Sequence, residues 1–372
     1  MQNKAVVAVR TAKKRKLKDS KGLKKLRPDS AGIDIGADEI WVAVPDGRDD
    51  QEQDIRSFQT FTCDLHRLAR WLKDCRVNTV AMESTGVYWI PLFQILEEAG
   101  IEVFLVNAQH VKNVPGRKSD IQDCQWLQYL HSVGLLSASH RPEQAVCSIR
   151  SILRHRDNLV KIASMHTQHI QKSLDQMNLR LHRVLSDITG TTGLAIIDAI
   201  LAGERNPSIL AALRNSRVRA TKETIIKSLE GDYRLEHLFT LQHSVALYRI
   251  YQSKISECDE QISRLLQSFH NADVAPQPVN KKTRSRSANA AEVTQTSELH
   301  RIFGVDLTKV DGLDILTIQT LFGEIGADFT KWRSASAFAS WMAICPNNAI
   351  TGGKVIRTKT RRTKSRLSLI HI

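Results

Sequence analysis

The chain has 372 residues, 42% of them hydrophobic, and a formal charge of +14 from 53 Lys and Arg against 39 Asp and Glu. At roughly 150 residues per domain this length predicts two or three domains. No apolar run reaches the roughly 20 residues of a membrane span, and the N-terminus lacks the apolar segment of a secretory signal. The basic excess favours a polyanionic partner, most simply nucleic acid.

The cysteines are scattered, without a Cys-x-x-Cys pair, which argues against a zinc site and a disulfide framework. Free thiols are typical of a reducing compartment, so a cytoplasmic location is predicted. The six positions are Cys63, Cys75, Cys124, Cys147, Cys258 and Cys345.

Residues 1–27 form a basic arm in which eleven Lys or Arg accompany a single acid, Asp19. Such blocks are typical of disordered segments that contact nucleic acid. The alternative is a targeting peptide, which the lack of an amphipathic apolar pattern disfavours.

Residues 28–140 alternate between strand and helix patterns. An antiparallel meander that continues into parallel βαβ units is the ribonuclease H type of mixed sheet, so the predicted fold class is α/β and RNase H-like. The predicted order is three strands (31–36, 40–44, 55–61), a helix, a strand (79–82), a helix, a strand (101–106), and a helix that starts at Ser119 and Asp120 and carries the apolar residues Ile121, Trp126, Leu127 and Leu130.

Four acids fall in or after the strands and at the start of the last helix, which could lie across the carboxyl ends of the strands. Asp34 lies inside an apolar strand, where a lone charge is costly, and Glu83 ends the adjacent strand. Asp120 and Asp123 are one helical turn apart. Ligands of open α/β sheets bind at this edge, and four carboxylates there would need cations. Two Mg²⁺ ions about 3.5–4 Å apart are the usual device for displacement at a phosphodiester. The alternative for Asp120 and Asp123 is the helix dipole, which favours acids in a first turn without any metal.

Residues 141–270 show long helical periodicity, interrupted at 189–193, which predicts a coiled coil or a helical hairpin. Residues 271–298 are polar and rich in helix breakers, which predicts a flexible basic linker. The histidines of the helical segment are interpreted as exposed or hydrogen-bonded side chains rather than metal ligands; they are His155, His166, His169, His182 and His243.

Residues 299–372 are predicted to form a small, mainly α C-terminal domain. Residues 310–325 look like a helix-hairpin-helix variant that would offer backbone N–H groups to phosphate, with Asp314 in place of a second glycine. Between residues 354 and 366 there are seven Lys or Arg and no acid. Four aromatic residues are spaced as core positions, with base stacking as the alternative: Phe329, Trp332, Phe338 and Trp341.

Residues 32–36, 82–86 and 118–123 resemble the three motifs of the DEDD transposases of insertion-sequence family 110. The resemblance implies a RuvC-like domain at 28–140, with a catalytic tetrad that holds Mg²⁺, two ions in all, and it implies that the helical segment is an assembly and RNA-binding arm. The tetrad would be Asp34, Glu83, Asp120 and Asp123.

Residues 345–354 resemble the family's second catalytic motif, in which a nucleophilic serine precedes two glycines. Thr351 stands at that position, so the resemblance implies that its hydroxyl attacks DNA and holds the strand covalently. Family members continue into further helices, so the C-terminal domain is expected to be truncated. The basic side chains expected to contact nucleic acid are Arg117, Lys118, Lys354, Arg357, Lys359, Arg361 and Arg362.

The predicted function is therefore that of a DNA transposase or recombinase. The resemblance implies the DNA of element ends and target as partners, a structured bridge RNA as guide, a homo-oligomer (dimer or tetramer), and association with a bacterial nucleoid. Two alternatives are a RuvC-like junction nuclease that uses metal-activated water and a catalytically dead nucleic-acid-binding remnant. Asp34 before a hairpin also suggests an actin-like sugar kinase. That fold needs a second Asp-x-Gly strand and a Gly-rich adenosine loop, and neither occurs at a predicted strand of this sequence.

Overall fold

The computed structural model describes residues 23–50, 53–84, 86–107, 119–269, 294–346 and 348–360. The chain divides into two units, Met1–His140 and Arg141–Ile372. Within the described ranges, no helix combines the length and the apolar character needed to cross a membrane.

A five-stranded mixed sheet forms the centre of the first unit, with the order β3-β2-β1-β4-β5. The first three strands pair antiparallel, and β1, β4 and β5 pair parallel. This is the RNase H-like arrangement, so the predicted fold class is confirmed. The strands are β1 (Ser30–Ile35), β2 (Glu39–Ala43), β3 (Ile55–Gln59), β4 (Thr79–Glu83) and β5 (Glu102–Val106).

Helices cover both faces of this sheet. The main apolar core of the unit joins β1 residues such as Ile33 to Leu68 of α1 (Thr62–Asp74) and Leu92 of α2 (Trp89–Glu98). A smaller cluster joins Ala81 of β4 to Leu127 of α3 (Asp120–Ser132). Because side chains alternate along a strand, successive residues of β1 and β4 point to opposite faces of the sheet and pack in different layers.

A fully buried histidine ties α3 to the sheet. Nε2 of His131 lies 3.0 Å from the hydroxyl of Thr79, and its ring contacts Phe104 at a centroid distance of 4.5 Å. The guanidinium of Arg27 lies over the same Phe104 ring, 4.5 Å from its centroid. Burial, and to a smaller degree the charge of Arg27, lowers the pKa of His131 to about 4.

This shift predicts acid lability. An unfolded histidine titrates near pH 6.5, so between about pH 6.5 and 4 the unfolded chain binds a proton that the folded chain does not bind. The free energy of unfolding is therefore unaffected by His131 above that window and falls as the pH falls through it. The loss reaches about 3 kcal/mol, at 1.36 kcal/mol per pKa unit. In urea unfolding from pH 7.5 to 4, His131→Gln should give a flatter stability profile than wild type. His66→Gln, at an exposed position of α1, is the control. Parallel profiles for wild type and His131→Gln would contradict this origin of acid lability.

The N-terminal basic arm is shorter than predicted. The backbone N–H groups of Leu26 and Arg27 both donate to the carbonyl of Ser132, at 2.7 and 2.9 Å. The expectation of disorder up to residue 27 is therefore wrong for these two residues, because they pair with the C-terminal end of α3. Residues 1–22 lie outside the described part of the chain.

Two helices of 33 residues each dominate the second unit: α4 (Gln144–Gln176) and α9 (Leu235–Gln267). Arg156 faces Asp259, while Ser173 faces Thr240, so the helices run antiparallel as a helical hairpin. Four short helices connect them and share their apolar core: α5 (Leu181–Val184), α6 (Thr191–Leu201), α7 (Pro207–Ala212) and α8 (Lys222–Ser228).

The helix boundaries differ from the sequence prediction. The first long helix ends at Gln176, before the predicted interruption, and Asn178 adopts a left-handed φ of 56° just after it. The residues predicted to interrupt the helix begin one instead, with Gly190 as the N-cap of α6. A Cβ at Gly193 would lie 2.0 Å from the carbonyl oxygen of Ile188, so this glycine serves close packing. His182 has a carboxylate neighbour, Asp175, at 3.5 Å.

The end of the chain adds short helices and a hairpin. Helix α10 begins inside the segment 271–298 that was predicted as linker, and residues 270–293 lie outside the described ranges. A small apolar cluster joins α10 and α11 to α4 and α9. The elements are α10 (Thr294–Phe303), a 3₁₀ turn (Leu307–Lys309), α11 (Ile315–Ile325), α12 (Ala335–Trp341), β6 (Ala349–Thr351) and β7 (Lys354–Arg357).

The structure bears on two interpretations of this region. Asp314 is the N-cap of α11 and accepts a hydrogen bond from the N–H of Thr317 at 2.7 Å, so its carboxylate takes one of the N–H groups that the helix-hairpin-helix interpretation offered to phosphate, and that interpretation stays a prediction. The four aromatic residues predicted as core contact one another, with Trp332 central at 5.0 Å from two of the rings, but none is buried. Phe329 and Trp341 keep 38% and 42% of their surface exposed.

Candidate functional site

Helix α3 lies across β1 in close contact. Gly32 is buried beneath it, and a Cβ at this position would lie 2.2 Å from the carbonyl oxygen of Cys124 and 2.3 Å from the backbone nitrogen of Gln128. The side chain of Gln128 also donates to the carbonyl of Ser30 at 3.2 Å. Only a glycine allows the helix backbone to approach the strand this closely.

These contacts set the direction of α3. Gly32 lies between Cys124 and Gln128, and the side chain of Gln128 reaches back to Ser30 at the start of β1, so the helix runs antiparallel to the strand. The residues of α3 before Cys124 therefore lie toward the carboxyl end of β1. Asp120 and Asp123 precede Cys124, and Asp34 lies in β1 two residues beyond Gly32.

Strand alternation places two acids on the same face. Asp34 is two residues beyond Gly32, so its side chain lies on the α3 side of β1. Glu83 is four residues beyond Thr79, whose hydroxyl bonds to His131 of α3, so Glu83 also lies on that side. The parallel register pairs Ile33 with Met82, which makes Asp34 and Glu83 the next residues on two neighbouring strands.

The polypeptide is anchored on either side of this edge. Both the N–H and the hydroxyl of Ser84, the residue after Glu83, donate to the carbonyl of Val106, at 3.0 and 3.2 Å. The hydroxyl of Ser119 caps α3 by accepting from the N–H of Gln122 at 3.4 Å, as the sequence predicted. Because α3 runs antiparallel to β1, its first turn, with Asp120 exposed and Asp123 half-buried, lies toward the carboxyl edge of the sheet.

The pKa of the Cys124 thiol reflects the same clustering of acids. Burial raises the pKa of this thiol to about 12, and the charge of Asp34 is the next largest cause. The charge of Asp123 raises it further. Since a Coulomb interaction weakens with distance, two carboxylates from different elements both act on one buried group at the start of α3.

The chemistry of the four acids fits a hard cation. Their only donor atoms are carboxylate oxygens, the ligands that Mg²⁺ takes in proteins. Within the described residues, however, no group of three or more His, Cys, Asp or Glu is arranged to hold a metal ion. The shared face and edge are structural findings, whereas the metal tetrad stays a prediction. Arg117 and Lys118 lie outside the described residues.

Sequence reasoning missed how α3 binds the sheet. Of its predicted apolar stripe only Leu127 is buried, while Ile121, Trp126 and Leu130 are half-buried. The residues that face the sheet include Cys124 and His131, three and four positions from Leu127, which is a regular helical spacing. That spacing was the available signal, but it was hidden because cysteine and histidine were not counted as apolar.

Thr351 lies in a different setting, at the tip of the β6–β7 hairpin. It pairs with Lys354 across a two-residue turn in which Gly352 and Gly353 have φ values of 54° and 76°. Two positive φ values are the requirement of a type I′ hairpin turn. A Cβ at either glycine would meet nothing within 4 Å, so these glycines are needed for backbone conformation.

The basic residues predicted around Thr351 are partly described. Lys354 and Arg357 are exposed on β7, and Lys359 is exposed beyond its end. Arg361 and Arg362 lie outside the described residues.

Comparison with known families gives two matches. A model of the DEDD transposases of IS110, described as "Transposase", matches residues 31–179, which include the four acids. A second model, described as "Transposase IS116/IS110/IS902 family", matches residues 306–370, which include Thr351. No curated protein matches the chain. DEDD transposases are in general dependent on divalent metal ions. The two matches fall in chain order on the RNase H-like sheet and on the C-terminal segment, and the chain belongs to the IS110 family of DNA transposases.

Proposed function

We propose that this chain cleaves and transfers the DNA strands of its insertion sequence by means of an acidic tetrad and a hydroxyl nucleophile. The tetrad is Asp34, Glu83, Asp120 and Asp123, and the nucleophile is Thr351. The observation that carries the proposal is the position of Asp34 and Glu83 on the α3 side of neighbouring strands, at the edge where α3 begins.

The acids would hold two Mg²⁺ ions. Like charges one helical turn apart repel, as do carboxylates on neighbouring strands, and bound cations remove that repulsion. When bound, the ions stabilise negative charge on the attacked phosphate and lower the pKa of an attacking hydroxyl. The protein holds the carboxylates in place through the caps and hydrogen bonds around Ser84 and Ser119.

The covalent step balances as a transesterification. The Oγ1 atom of Thr351 forms a bond to phosphorus, the bond from phosphorus to the oxygen of the leaving strand breaks, and the hydroxyl proton leaves to solvent while the leaving oxygen gains one. The phosphodiester energy is kept in the protein–DNA bond, so a second DNA hydroxyl can reverse the step on a new strand. A guide RNA and a dimer or tetramer complete the proposal; the +14 charge supports an RNA partner.

The test uses DNA that carries element ends, labelled at either terminus and resolved by denaturing electrophoresis. We expect cleavage with Mg²⁺, none with EDTA, and a protein-linked DNA band that protease removes. Cleavage without any linked band would favour the junction nuclease, which uses water. No cleavage under any metal would favour the inactive nucleic-acid-binding remnant.

DNA binding should depend strongly on salt. Log affinity should fall linearly with log salt, by about 0.9 for each duplex phosphate neutralised. Deletion of residues 1–22, which removes eight Lys and Arg, should make the slope shallower and leave the cleavage position unchanged, because phosphate contacts position DNA without specifying sequence. The deletion stops before Leu26, which pairs with Ser132. Fluorescence anisotropy from 50 to 300 mM salt measures the slope, and a slope unchanged by the deletion would rule out a role of this arm in binding.

A further inference from the structure

The β6–β7 hairpin contains one irregular position. Thr351 pairs with Lys354 and Ile350 with Val355, but the next pair joins Ala349 to Arg357. One residue of β7, Ile356, is therefore extra with respect to β6. The bridge between Pro346 and Thr360 continues the shifted register. The irregularity is thus a β-bulge that persists in the pairing beyond it.

The bulge changes which side chains share a face. Directly opposed residues of an antiparallel pair lie on one face, and successive residues alternate. Thr351 and Lys354 are on one face, and Ala349 and Arg357, two pairs further along, are on that same face. In a regular strand, two residues three positions apart would lie on opposite faces. The extra residue brings Arg357 back to the side of Lys354, which is a known effect of bulges.

From this register, we propose that Lys354 and Arg357 form a two-point phosphate clamp beside the Thr351 hydroxyl, and that the bulge at Ile356 is what makes the clamp. This inference deepens the proposed function and rests on Thr351 as the nucleophile. Opposed Cβ atoms are about 4.5–5.5 Å apart, and the next pair on that face is about 7 Å along the strands, within reach of an arginine side chain.

Lys354 and Arg357 would bind a phosphate in different ways. Lysine supplies a compact point charge, and arginine presents a planar fork that holds two phosphate oxygens at once. Both residues are exposed, as is Thr351. The opposite face carries Ile350 and Val355, which offer no group to a phosphate. Arg357 is thus a positioning residue, which orients phosphorus toward Oγ1 without itself reacting.

The sharpest test moves the cation along β7 without changing the composition. The exchange variant combines Val355→Arg with Arg357→Val, which transfers the positive charge to the face of Ile350 and Val355. The charge-loss variant is Arg357→Gln. The control exchange combines Lys73→Asp with Asp74→Lys, at two exposed positions at the end of α1. Circular dichroism verifies that each variant keeps its helical content.

We expect the exchange variant to behave like the charge-loss variant. Both should lower the rate of covalent DNA capture about 10- to 100-fold, the effect of one hydrogen bond between charged groups. Both should make the salt slope of duplex binding shallower by about 1, since one phosphate contact is lost. Arg357→Lys should restore the slope but only part of the rate. The control exchange should match wild type in both measurements.

Two results would overturn the clamp. One is an exchange variant with wild-type slope and rate, which would mean that the face of the hairpin on which the cation lies does not matter. The other is a control exchange as defective as Arg357→Gln, which would mean that the effect is not specific to the hairpin. If wild type forms no protein–DNA adduct at all, Thr351 is not the nucleophile and the proposed covalent step is wrong. The slopes, which are measured by fluorescence anisotropy and need no chemistry, still decide whether Arg357 contacts phosphate because of the bulge.

Discussion

Asp34→Asn is expected to lower Mg²⁺-dependent DNA cleavage by about 10³-fold while the protein stays folded. Charge stabilisation by a bound metal contributes several kcal/mol, and each 1.36 kcal/mol is a factor of ten in rate. Asparagine keeps the size of the side chain and removes its charge. The site lies where β1, β4 and the start of α3 meet, and the variant alters none of the contacts of Gly32 that hold the helix.

The stabilisation of the protein by Mg²⁺ should weaken together with the activity. Mg²⁺ at about 100 times its dissociation constant should stabilise wild type by about 2.7 kcal/mol, and should stabilise the variant less because a ligand is missing. Differential scanning fluorimetry with Mg²⁺ and with EDTA measures both effects.

The matched control is Asp74→Asn. Asp74 is the last residue of α1, on the other face of the sheet, and is exposed. It should leave cleavage and the Mg²⁺-induced shift at wild-type values. Equal cleavage by wild type and Asp34→Asn would remove Asp34 from the reaction and with it the two-metal proposal.

The sheet could be predicted because its signals are local. Short apolar runs separated by turn residues marked each strand of the first unit, and the observed strand ends differ from the predicted ones by two residues at most. The end of β1 illustrates the difference. Gly36, predicted as its last residue, instead closes the turn, with its N–H donating to the carbonyl of Glu39 at 2.9 Å.

The grouping of the acids needed the three-dimensional structure. The sequence predicted that acids follow strands and start a helix, but not which face each of them occupies. That depends on Gly32 lying directly under Cys124 and on the bond between Thr79 and His131. Both contacts join residues some 50 or more positions apart, and the pattern of a single element holds no information on them.

The hairpin illustrates the same limit at short range. Gly352 and Gly353 indicated a tight turn, and the structure has one. The bulge at Ile356 is set by the pairing of two strands, so neither strand alone indicates it. The aromatic residues of α12 and the preceding loop failed as core predictions for a related reason. Their spacing suits a buried face, but in the described residues they pack chiefly on one another.

Thr351→Ala is expected to abolish the protein-linked DNA band, and Thr351→Ser to increase it about tenfold or more. Alanine has no oxygen to bond to phosphorus, so no covalent intermediate can form. Serine keeps the hydroxyl and removes the methyl. Threonine is branched at Cβ and stiff at χ1, which leaves its oxygen fewer orientations toward phosphorus, and a misplacement of about 1 Å can cost about 10²-fold in rate.

The fold of the hairpin should tolerate both variants. Thr351 is exposed and precedes two glycines that supply the positive φ values of the turn, so its own side chain is not required for that conformation. Thr360→Ala, at the isolated bridge to Pro346, is the control for loss of a threonine from the same hairpin. It should retain the linked band.

The measurement is denaturing electrophoresis of labelled DNA with and without protease, with the full chain. Thr351→Ala should still bind DNA with the wild-type salt slope, because Lys354 and Arg357 remain on the same face of the hairpin. The combination of unchanged binding with lost capture would identify Thr351 as the nucleophile. Equal cleavage by wild type and both variants, with no linked DNA in any lane, would instead assign the attack to water and make the acidic edge of the sheet a nuclease site.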